Sequence, residues 1–220
     1  MVVLGLQIGF SLIWLLSNVE ARATFAPLAL AYPSNVWEDG HVWTLVTGPL
    51  VEPGFINLLL FGFMMWGFVP RLEHFWGTGR FYRFVIFTSV AGTFAGTLVG
   101  HLIGQNAPIT GMMPFMYAAI VAFGMTFQKQ QIQFFAVLPL TAKQFMYGIL
   151  AFLALFITLQ QAWALGAAYV ASIGTAVLLI SKFSPALLWK KWRIRRSRAK
   201  LTVMQGGASK ARPEQQKYLN

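Results

Sequence analysis

The chain of 220 residues contains no cysteine, and it has only six carboxylate side chains against 17 lysine and arginine residues. The absence of cysteine excludes disulfides, thiol redox chemistry and thiolate metal ligands. Only His41, His74 and His101 supply an imidazole, and the acidic residues are scattered along the chain. A metal site therefore has few potential ligands, and we expect neither a metal ion nor another cofactor.

Charge of either sign is scarce: charged residues make up 10% of the chain and apolar residues 57%, with a mean hydropathy of +0.60. A soluble domain of this size carries roughly 25% charged residues. The chain has too few charges to cover its own surface, so a large part of that surface must face lipid. The composition therefore predicts a multi-pass membrane protein whose first partner is the bilayer.

Apolar segments that approach the roughly 20 residues of a membrane helix recur throughout residues 1–185. They predict a membrane domain with an all-α fold, a bundle of six transmembrane helices. The first segment lacks a basic start and a small-residue cleavage site, so we interpret it as a span and not as a removed signal. A long connection follows it, and a polar loop, Gln128–Gln133, follows the fourth. The six segments are Met1–Asn18, Phe55–Val69, Phe81–Ile103, Ile109–Phe127, Phe145–Leu159 and Trp163–Ser181.

Positive charge is concentrated in residues 186–220, which we interpret as a basic, partly disordered cytoplasmic tail. Lysine and arginine that follow a membrane helix hold that end in the cytoplasm and contact anionic lipid, at roughly 1 kcal/mol per charge. We favour this interpretation over a nucleic-acid surface, so we expect no nucleic-acid partner. A cytoplasmic protein partner stays open.

The charged loops give the orientation of the bundle. The loops that carry Arg71, Arg80 and Lys129 are expected in the cytoplasm. With six spans, both termini then lie in the cytoplasm, and we expect a bacterial inner membrane. The connection expected outside holds four acids: Glu20, Glu38, Asp39 and Glu52.

Three glycines, Gly92, Gly96 and Gly100, recur every four residues in the third predicted span. They leave one helix face without side chains, so another backbone can approach closely. That backbone belongs either to a partner protein or to the same chain, and we favour packing within the chain.

Three segments of the chain carry motifs whose order along the sequence is informative. His41–Thr47 reads HVWTLVT, Pro53–Val85 reads PGFINLLLFGFMMWGFVPRLEHFWGTGRFYRFV, and Leu138–Phe145 reads LPLTAKQF. The series resembles the rhomboid family of intramembrane serine proteases, over most of residues 1–185. These segments are similar to the family's Trp-Arg-Leu-x-Thr loop, its second span and its Pro-x-x-Ala-Lys-Trp segment. The residues at matching positions around the second span are Trp66, Leu72, Glu73, Gly77, Arg80 and Phe81.

The segment Thr110–Ala119, TGMMPFMYAA, lies where the family has the Gly-x-Ser-Gly entry to its fourth span. Gly111 matches the first glycine, Met113 occupies the position of the nucleophilic serine, and Pro114 replaces the glycine after it. A thioether has no proton to lose and cannot attack a carbonyl. Proline also removes a backbone N–H near the place where the family stabilises an oxyanion.

The other catalytic positions of the family differ as well. Its second span carries a histidine and, four residues later, an asparagine, and the matching residues are Asn57 and Phe61. Its base lies in the sixth span three residues before a glycine, where this chain has Ala171. The resemblance therefore implies the rhomboid fold without the catalytic dyad.

These residues predict a non-catalytic, rhomboid-like pseudoprotease. By resemblance to inactive rhomboids, it would bind the transmembrane segments of client membrane proteins. The candidate client cavity is lined by Asn57, Met112, Met113, Pro114 and Phe115. Methionine suits a surface that adapts to varied apolar partners, although the same methionines could simply fill the vacated space.

Two other functions stay open. An active rhomboid protease needs a nucleophile and a base at hydrogen-bond distance, and a rearranged pair of Ser172 and His101 would require the third and sixth spans to touch at that depth. A small membrane transporter keeps ionisable residues within its spans, and the predicted spans contain almost none.

Overall fold

The computed structural model describes residues 2–134 and 138–181. Besides the helices, the described residues form a 3-10 turn, Gly48–Leu50, and two strands, β1 (Gln131–Phe134) and β2 (Leu138–Thr141). The predicted basic tail and the predicted domain end at residue 185 lie outside the described residues. The helices are α1 (Val2–Leu16), α2 (Val19–Ala29), α3 (Pro33–Trp37), α4 (Thr44–Thr47), α5 (Phe55–Trp76), α6 (Thr78–Leu102), α7 (Met113–Thr126), α8 (Ala142–Gln160) and α9 (Trp163–Ile180).

Each predicted span coincides with a helix, but the helices do not confirm six membrane crossings. Within the described residues, α6, α8 and α9 are long and apolar enough to cross a bilayer. A fourth span results if Thr44–Leu50 and Phe55–Gly67, which meet at 80°, count as one. With 15 and 14 residues, α1 and α7 extend only about 21–23 Å, short of a core about 30 Å thick. A mostly helical, multi-pass membrane protein is confirmed.

The prediction of an all-α fold is wrong between α7 and α8. There β1 and β2 pair antiparallel, with Gln131 opposite Thr141 and Phe134 opposite Leu138. The reason is local, since Gln-Ile-Gln-Phe alternates polar and apolar residues with the period of a strand. Thr141 then starts α8 through a capping box: its side chain accepts from the Gln144 N–H at 3.3 Å, and the Gln144 side chain accepts from the Thr141 N–H at 3.0 Å.

The long connection after the first span is more ordered than the sequence indicates, because it forms α2, α3 and α4. Asn18 caps α2 by accepting from the Ala21 N–H at 3.0 Å. Arg22 donates from Nε to the Ser17 carbonyl at 3.0 Å and also reaches the Leu15 carbonyl. The guanidinium thus satisfies carbonyls at the end of α1 and ties α2 to it.

The main hydrophobic core lies between α5, α6 and α7. On α5 the buried residues recur every three or four positions, the spacing of one helix face. The opposite face of α5 exposes large apolar side chains, as a lipid-facing helix does. The core face carries Leu58, Phe61, Met65, Val69 and Leu72, and the exposed face carries Phe55, Leu59, Phe63 and Trp66.

The glycine face of α6 packs against small residues of α9. A Cβ atom added at Gly96 would lie 2.8 Å from the Ala168 Cβ, and one added at Gly100 would lie 3.3 Å from the Ala164 Cβ. At Gly92 the added atom would run into the Ser172 hydroxyl. The two sets of small residues match at four-residue spacing, which confirms packing within the chain. We call these six residues the glycine seam.

The contacts between helices fix their directions. The Phe75 and Phe127 rings lie 5.3 Å apart, so α5 and α7 end together, whereas Gly100 meets Ala164 where α6 ends and α9 begins. The end of the bundle at which α5, α7 and α9 finish is therefore also where α6 and α8 begin. We call it the cationic end, because it carries Arg71, Arg80, Arg83, Lys129 and Lys143, all exposed.

Candidate functional site

The predicted site centres on the chain just before α7. Gly111 adopts a φ of +69°, in the left-handed region that favours glycine. Its N–H donates to the carbonyls of Gly48 at 3.1 Å and Val51 at 3.0 Å. A Cβ atom there would collide with the Glu52 carboxylate. Both the backbone and the close contact therefore require glycine at this position.

The fourth predicted span starts at Ile109, whereas α7 starts at Met113 with Pro114 in its first turn. Proline costs little there because that N–H has no partner within the helix. The Pro114 Cβ would lie 2.9 Å from a Cβ atom at Gly92. The glycine seam thus makes room for the ring as well as for α9.

The structure places the candidate cavity residues in different environments. Met112 and Phe115 are 3% and 0% exposed and belong to the main core together with Phe61. Pro114 is also buried, Met113 is half-buried and Asn57 is exposed. Neither of the two cavities described below is lined by any of these residues.

Glu52 is the residue that sequence reasoning missed. We expected it in an outer loop, but its side chain is only 4% exposed. Its N–H donates to Ser11 Oγ at 3.0 Å, and its carboxylate accepts from Gly54 and from the Asn57 side chain. We call Ser11, Glu52, Asn57 and Gly111 the Glu52 cluster. The sequence contained one indication that Glu52 is buried: it is a single acid between Val51 and Pro53, directly before a predicted span.

The electrostatics of Glu52 follow from its burial in the connection before α5. Desolvation raises the pKa of its carboxyl above the usual value of 4.5, because the charged form loses water. The hydrogen bonds from Gly54 and Asn57 lower the pKa and offset part of that rise. The buried acid is therefore more easily protonated than an acid in a surface loop.

Gln7 adds a further buried polar group. It lies on α1 one turn before Ser11, so both point from the same helix face. It is 0% exposed, and within the part of the chain that the structure describes neither Nε2 nor Oε1 has a hydrogen-bond partner. A buried polar group without a partner costs about 1–3 kcal/mol.

The structure does not bring Ser172 and His101 together. The Ser172 hydroxyl is buried and donates to the Thr88 carbonyl at 2.7 Å. On α6, His101 lies thirteen residues beyond Thr88, or about 20 Å at 1.5 Å per residue. Ala171, at the position of the family's base, is half-buried beside this serine. The rearranged dyad is therefore not formed.

A polar cavity of about 320 Å³ lies at the end opposite the cationic end. Ser34 Oγ donates to Asn106 Oδ1 at 3.0 Å beside it, and His101 Nδ1 lies 3.6 Å from Glu38 Oε1. The described residues contain no group of three or more side chains that could hold a metal ion. A second cavity, of about 390 Å³, lies between α7, α8 and α9.

No curated protein and no solved structure matches the chain. A family model with the description "Eukaryotic integral membrane protein (DUF1751)" matches residues 1–178. The expected bacterial inner membrane does not fit, because this family is eukaryotic. The chain is an integral membrane protein, and it belongs to this DUF1751 family of eukaryotic integral membrane proteins.

Proposed function

We propose that the chain is a non-catalytic, rhomboid-like membrane protein that binds transmembrane segments of client membrane proteins. The observation that supports this proposal is the start of α7. Met113 occupies the position that holds the nucleophilic serine in the rhomboid family, which this chain resembles. The Glu52 carboxylate lies against Gly111, two residues earlier. Hydrolysis needs a nucleophile and a base within hydrogen-bond reach, and Met113 with Ala171 supplies neither.

The exposed face of α5 is the surface on which we place the client. Asn57 is exposed in the first turn of α5, but it lies on a different side of the helix from Phe55 and Leu59, because residues two apart do not share a helix face. It therefore adds a polar group beside the apolar face. One of its donors is engaged by Glu52. The rest of the amide can bond to a polar side chain of a client helix, an interaction worth about 1–2 kcal/mol in model peptides.

We also propose that the cationic end faces the cytoplasm, because exposed lysine and arginine mark that side of a membrane protein. The end of α9 would then face the cytoplasm, because α9 runs antiparallel to α6, which begins at the cationic end. We propose the same side for the start of α1. The chain has no cysteine, so single cysteines at Lys129 and Glu38 can be labelled in sealed membranes. Labelling of Lys129→Cys from the non-cytoplasmic side would contradict this orientation.

Photocrosslinking in intact membranes tests the client surface. A photoreactive residue replaces Leu59 on α5 and, as a control, Ile86 on α6, which are 59% and 58% exposed. Client binding predicts discrete protein adducts from position 59 and only lipid adducts from position 86. Asn57→Ala is expected to weaken the protein adducts. The same adducts from both positions would show random collision in the bilayer instead of a client site.

A further inference from the structure

The cavity of about 390 Å³ between α7, α8 and α9 is a groove with polar residues at one end. Gln128 follows α7, Lys143 lies in the first turn of α8, and Tyr147 follows one turn later. All three are exposed, and they lie toward the cationic end. The rest of the lining is apolar and comes from all three helices: Val121, Met125, Met146, Leu150, Ile173 and Val177.

The groove opens toward the membrane. Of the three long apolar helices, α8 is the least covered by protein: 22% of its span is buried, against 44% for α6 and 33% for α9. Phe152 and Leu155 on α8 are exposed large apolar side chains. An acyl chain beside α8 can therefore enter the groove without leaving the bilayer.

Lys143, at the mouth of the groove, has no acidic partner among the described residues. The Lys143 ammonium lies 5.9 Å from the centre of the Tyr147 ring, and it forms no ion pair within the described residues. The sequence has no acidic residue between Glu73 and Glu214. Lys143 also stands at the start of a helix, where the backbone dipole repels a cation and attracts an anion.

The dimensions of the groove favour a narrow ligand. From Lys143 to Leu150 the groove follows α8 for seven residues, or about 10 Å. A volume of about 390 Å³ over that length gives a cross-section on the order of 40 Å², about half the roughly 80 Å² of a helix about 10 Å across. An acyl chain fits this width and a client helix does not. The segment 182–220 of the same chain is rich in lysine and arginine, so it would bring like charge to Lys143.

We propose that this groove binds one anionic phospholipid of the leaflet at the cationic end. Its phosphate lies beside Lys143 and Gln128, and one acyl chain runs along Met146, Leu150 and Ile173. The Gln128 amide already donates to the Met125 carbonyl at 3.3 Å and keeps its second N–H for the phosphate. This site is separate from the client surface on α5, so the two proposals can fail independently.

The test uses the full chain in liposomes of phosphatidylcholine with a minor fraction of phosphatidylserine. One lipid or the other carries a photoreactive group in its acyl chain, and the adducts are mapped by peptide mass spectrometry. We expect the phosphatidylserine probe to label Met146, Leu150 and Ile173 about fivefold more than the phosphatidylcholine probe. This ratio corresponds to the attraction between one cation and an anionic lipid, about 1 kcal/mol. Lys143→Gln should remove this preference.

Lys129→Gln is the matched control, because Lys129 is an exposed cation at the same end that does not line the groove. Loss of the preference in Lys143→Gln alone would support the site. An equal loss in both variants would show that the preference comes from the general positive charge of this surface, and it would overturn the proposal. Equal labelling by the two probes, or crosslinks from residues 183–220 to the groove, would also overturn it.

A second variant tests the acyl-chain part of the proposal, and the labelling of Phe152 in the same variant serves as a control for folding defects. Leu150→Phe fills the groove from the half-buried face of α8 and should reduce labelling of Met146 and Ile173 by both probes. Labelling of lipid-exposed Phe152 should not change. Unchanged labelling in a folded Leu150→Phe protein would show that acyl chains do not enter the groove.

Discussion

The glycine seam and the Glu52 cluster hold the same bundle together in opposite ways. In the glycine seam two long helices meet through small residues, and the one hydroxyl among its six residues, on Ser172, is bonded to the Thr88 carbonyl. In the Glu52 cluster a short helix is held by a few polar contacts around a buried acid, and Gln7 nearby on the same helix face has no partner within the described chain.

The difference shows where each part of the fold obtains its stability. The glycine seam gains from close backbone contact, which tolerates almost no added volume. The Glu52 cluster contains groups whose burial costs free energy. We therefore expect substitutions in the seam to destabilise and some substitutions near the cluster to stabilise. The predictions below test this contrast from the largest effect to the smallest.

Gly96→Leu is expected to have the largest effect. A Cβ atom at Gly96 would lie 2.8 Å from the Ala168 Cβ and 3.1 Å from the Ala164 carbonyl oxygen. Overpacking of this kind costs about 1–3 kcal/mol or more, so we expect a loss near 3 kcal/mol in thermal unfolding. The matched control is Gly148→Leu in α8, where a Cβ atom meets nothing within 4 Å. An equal loss in the control would contradict close packing at the seam.

Gly111→Ala should cost about 2 kcal/mol, because it combines a positive φ, at about 1–2 kcal/mol, with a collision against Glu52. Gly104→Ala separates the two effects, since Gly104 has a φ of +71° and nothing within 4 Å of an added Cβ. The double variant Gly111→Ala, Glu52→Ala should recover part of the loss. If the two single glycine variants lose equal stability, Glu52 does not press against Gly111.

The buried acid should make stability depend on pH. The folded state raises the pKa of Glu52. The contribution of this residue to the free energy of unfolding is therefore complete below the unfolded pKa of 4.5, and it is lost as the pH rises through the raised pKa. Glu52→Gln, which carries no charge, should remove this decrease and be more stable than the unmodified chain at neutral pH. Glu38→Gln, at an exposed acid, is the control. Unchanged pH dependence in Glu52→Gln would disprove the assignment.

Gln7→Leu should raise the free energy of unfolding by about 1–2 kcal/mol, because it removes two buried polar atoms that lack partners in the described structure. Ser11→Ala, one turn further along α1, should do the opposite, since it leaves the Glu52 N–H without its acceptor. Thermal unfolding of both variants measures the contrast. A loss of stability in Gln7→Leu would show that the glutamine has a partner of its own.

Ser172→Ala should have the smallest effect, about 0.6 kcal/mol, the average for a hydrogen bond between membrane helices. The same variant tests for hydrolase activity. Because Ser172 donates to a backbone carbonyl far from His101, neither the unmodified chain nor the variant should react with a fluorophosphonate. Strong labelling that disappears in the variant would instead identify a new nucleophile.

The long helices were the predictable part of the fold. The predicted spans Phe81–Ile103 and Trp163–Ser181 end within three residues of α6 and α9, because long apolar runs are bounded by charges and loop residues. Close packing at Gly92, Gly96 and Gly100 was also predictable, since four-residue spacing places glycines on one face. Whether a helix crosses the bilayer depends on its final length, which hydropathy alone did not give for α7.

The site was predictable only in part. The fourth predicted span began at Ile109, four residues before α7, although Gly111 and Pro114 have backbone preferences that suit the residues just before a helix and in its first turn. The burial of Met112 and Phe115 was not predictable, because an apolar residue can line a cavity or fill a core with the same sequence signal. Glu52 was missed because its contact with Gly111 joins positions 59 residues apart in the chain, and no local pattern reports such a contact.

The glycine seam also has a consequence for the synthesis of the protein. The two helices that form it are separated by residues 103–162, so α6 is complete before any of α9 exists. At about 5–20 residues per second, α9 follows roughly 3–12 s later. During this interval the glycine face of α6 can already contact earlier residues such as Pro33 and Pro114, but the part that α9 will cover lies open to lipid or to other helices. The completion of α9, and not the insertion of α6, therefore sets the moment at which the bundle closes.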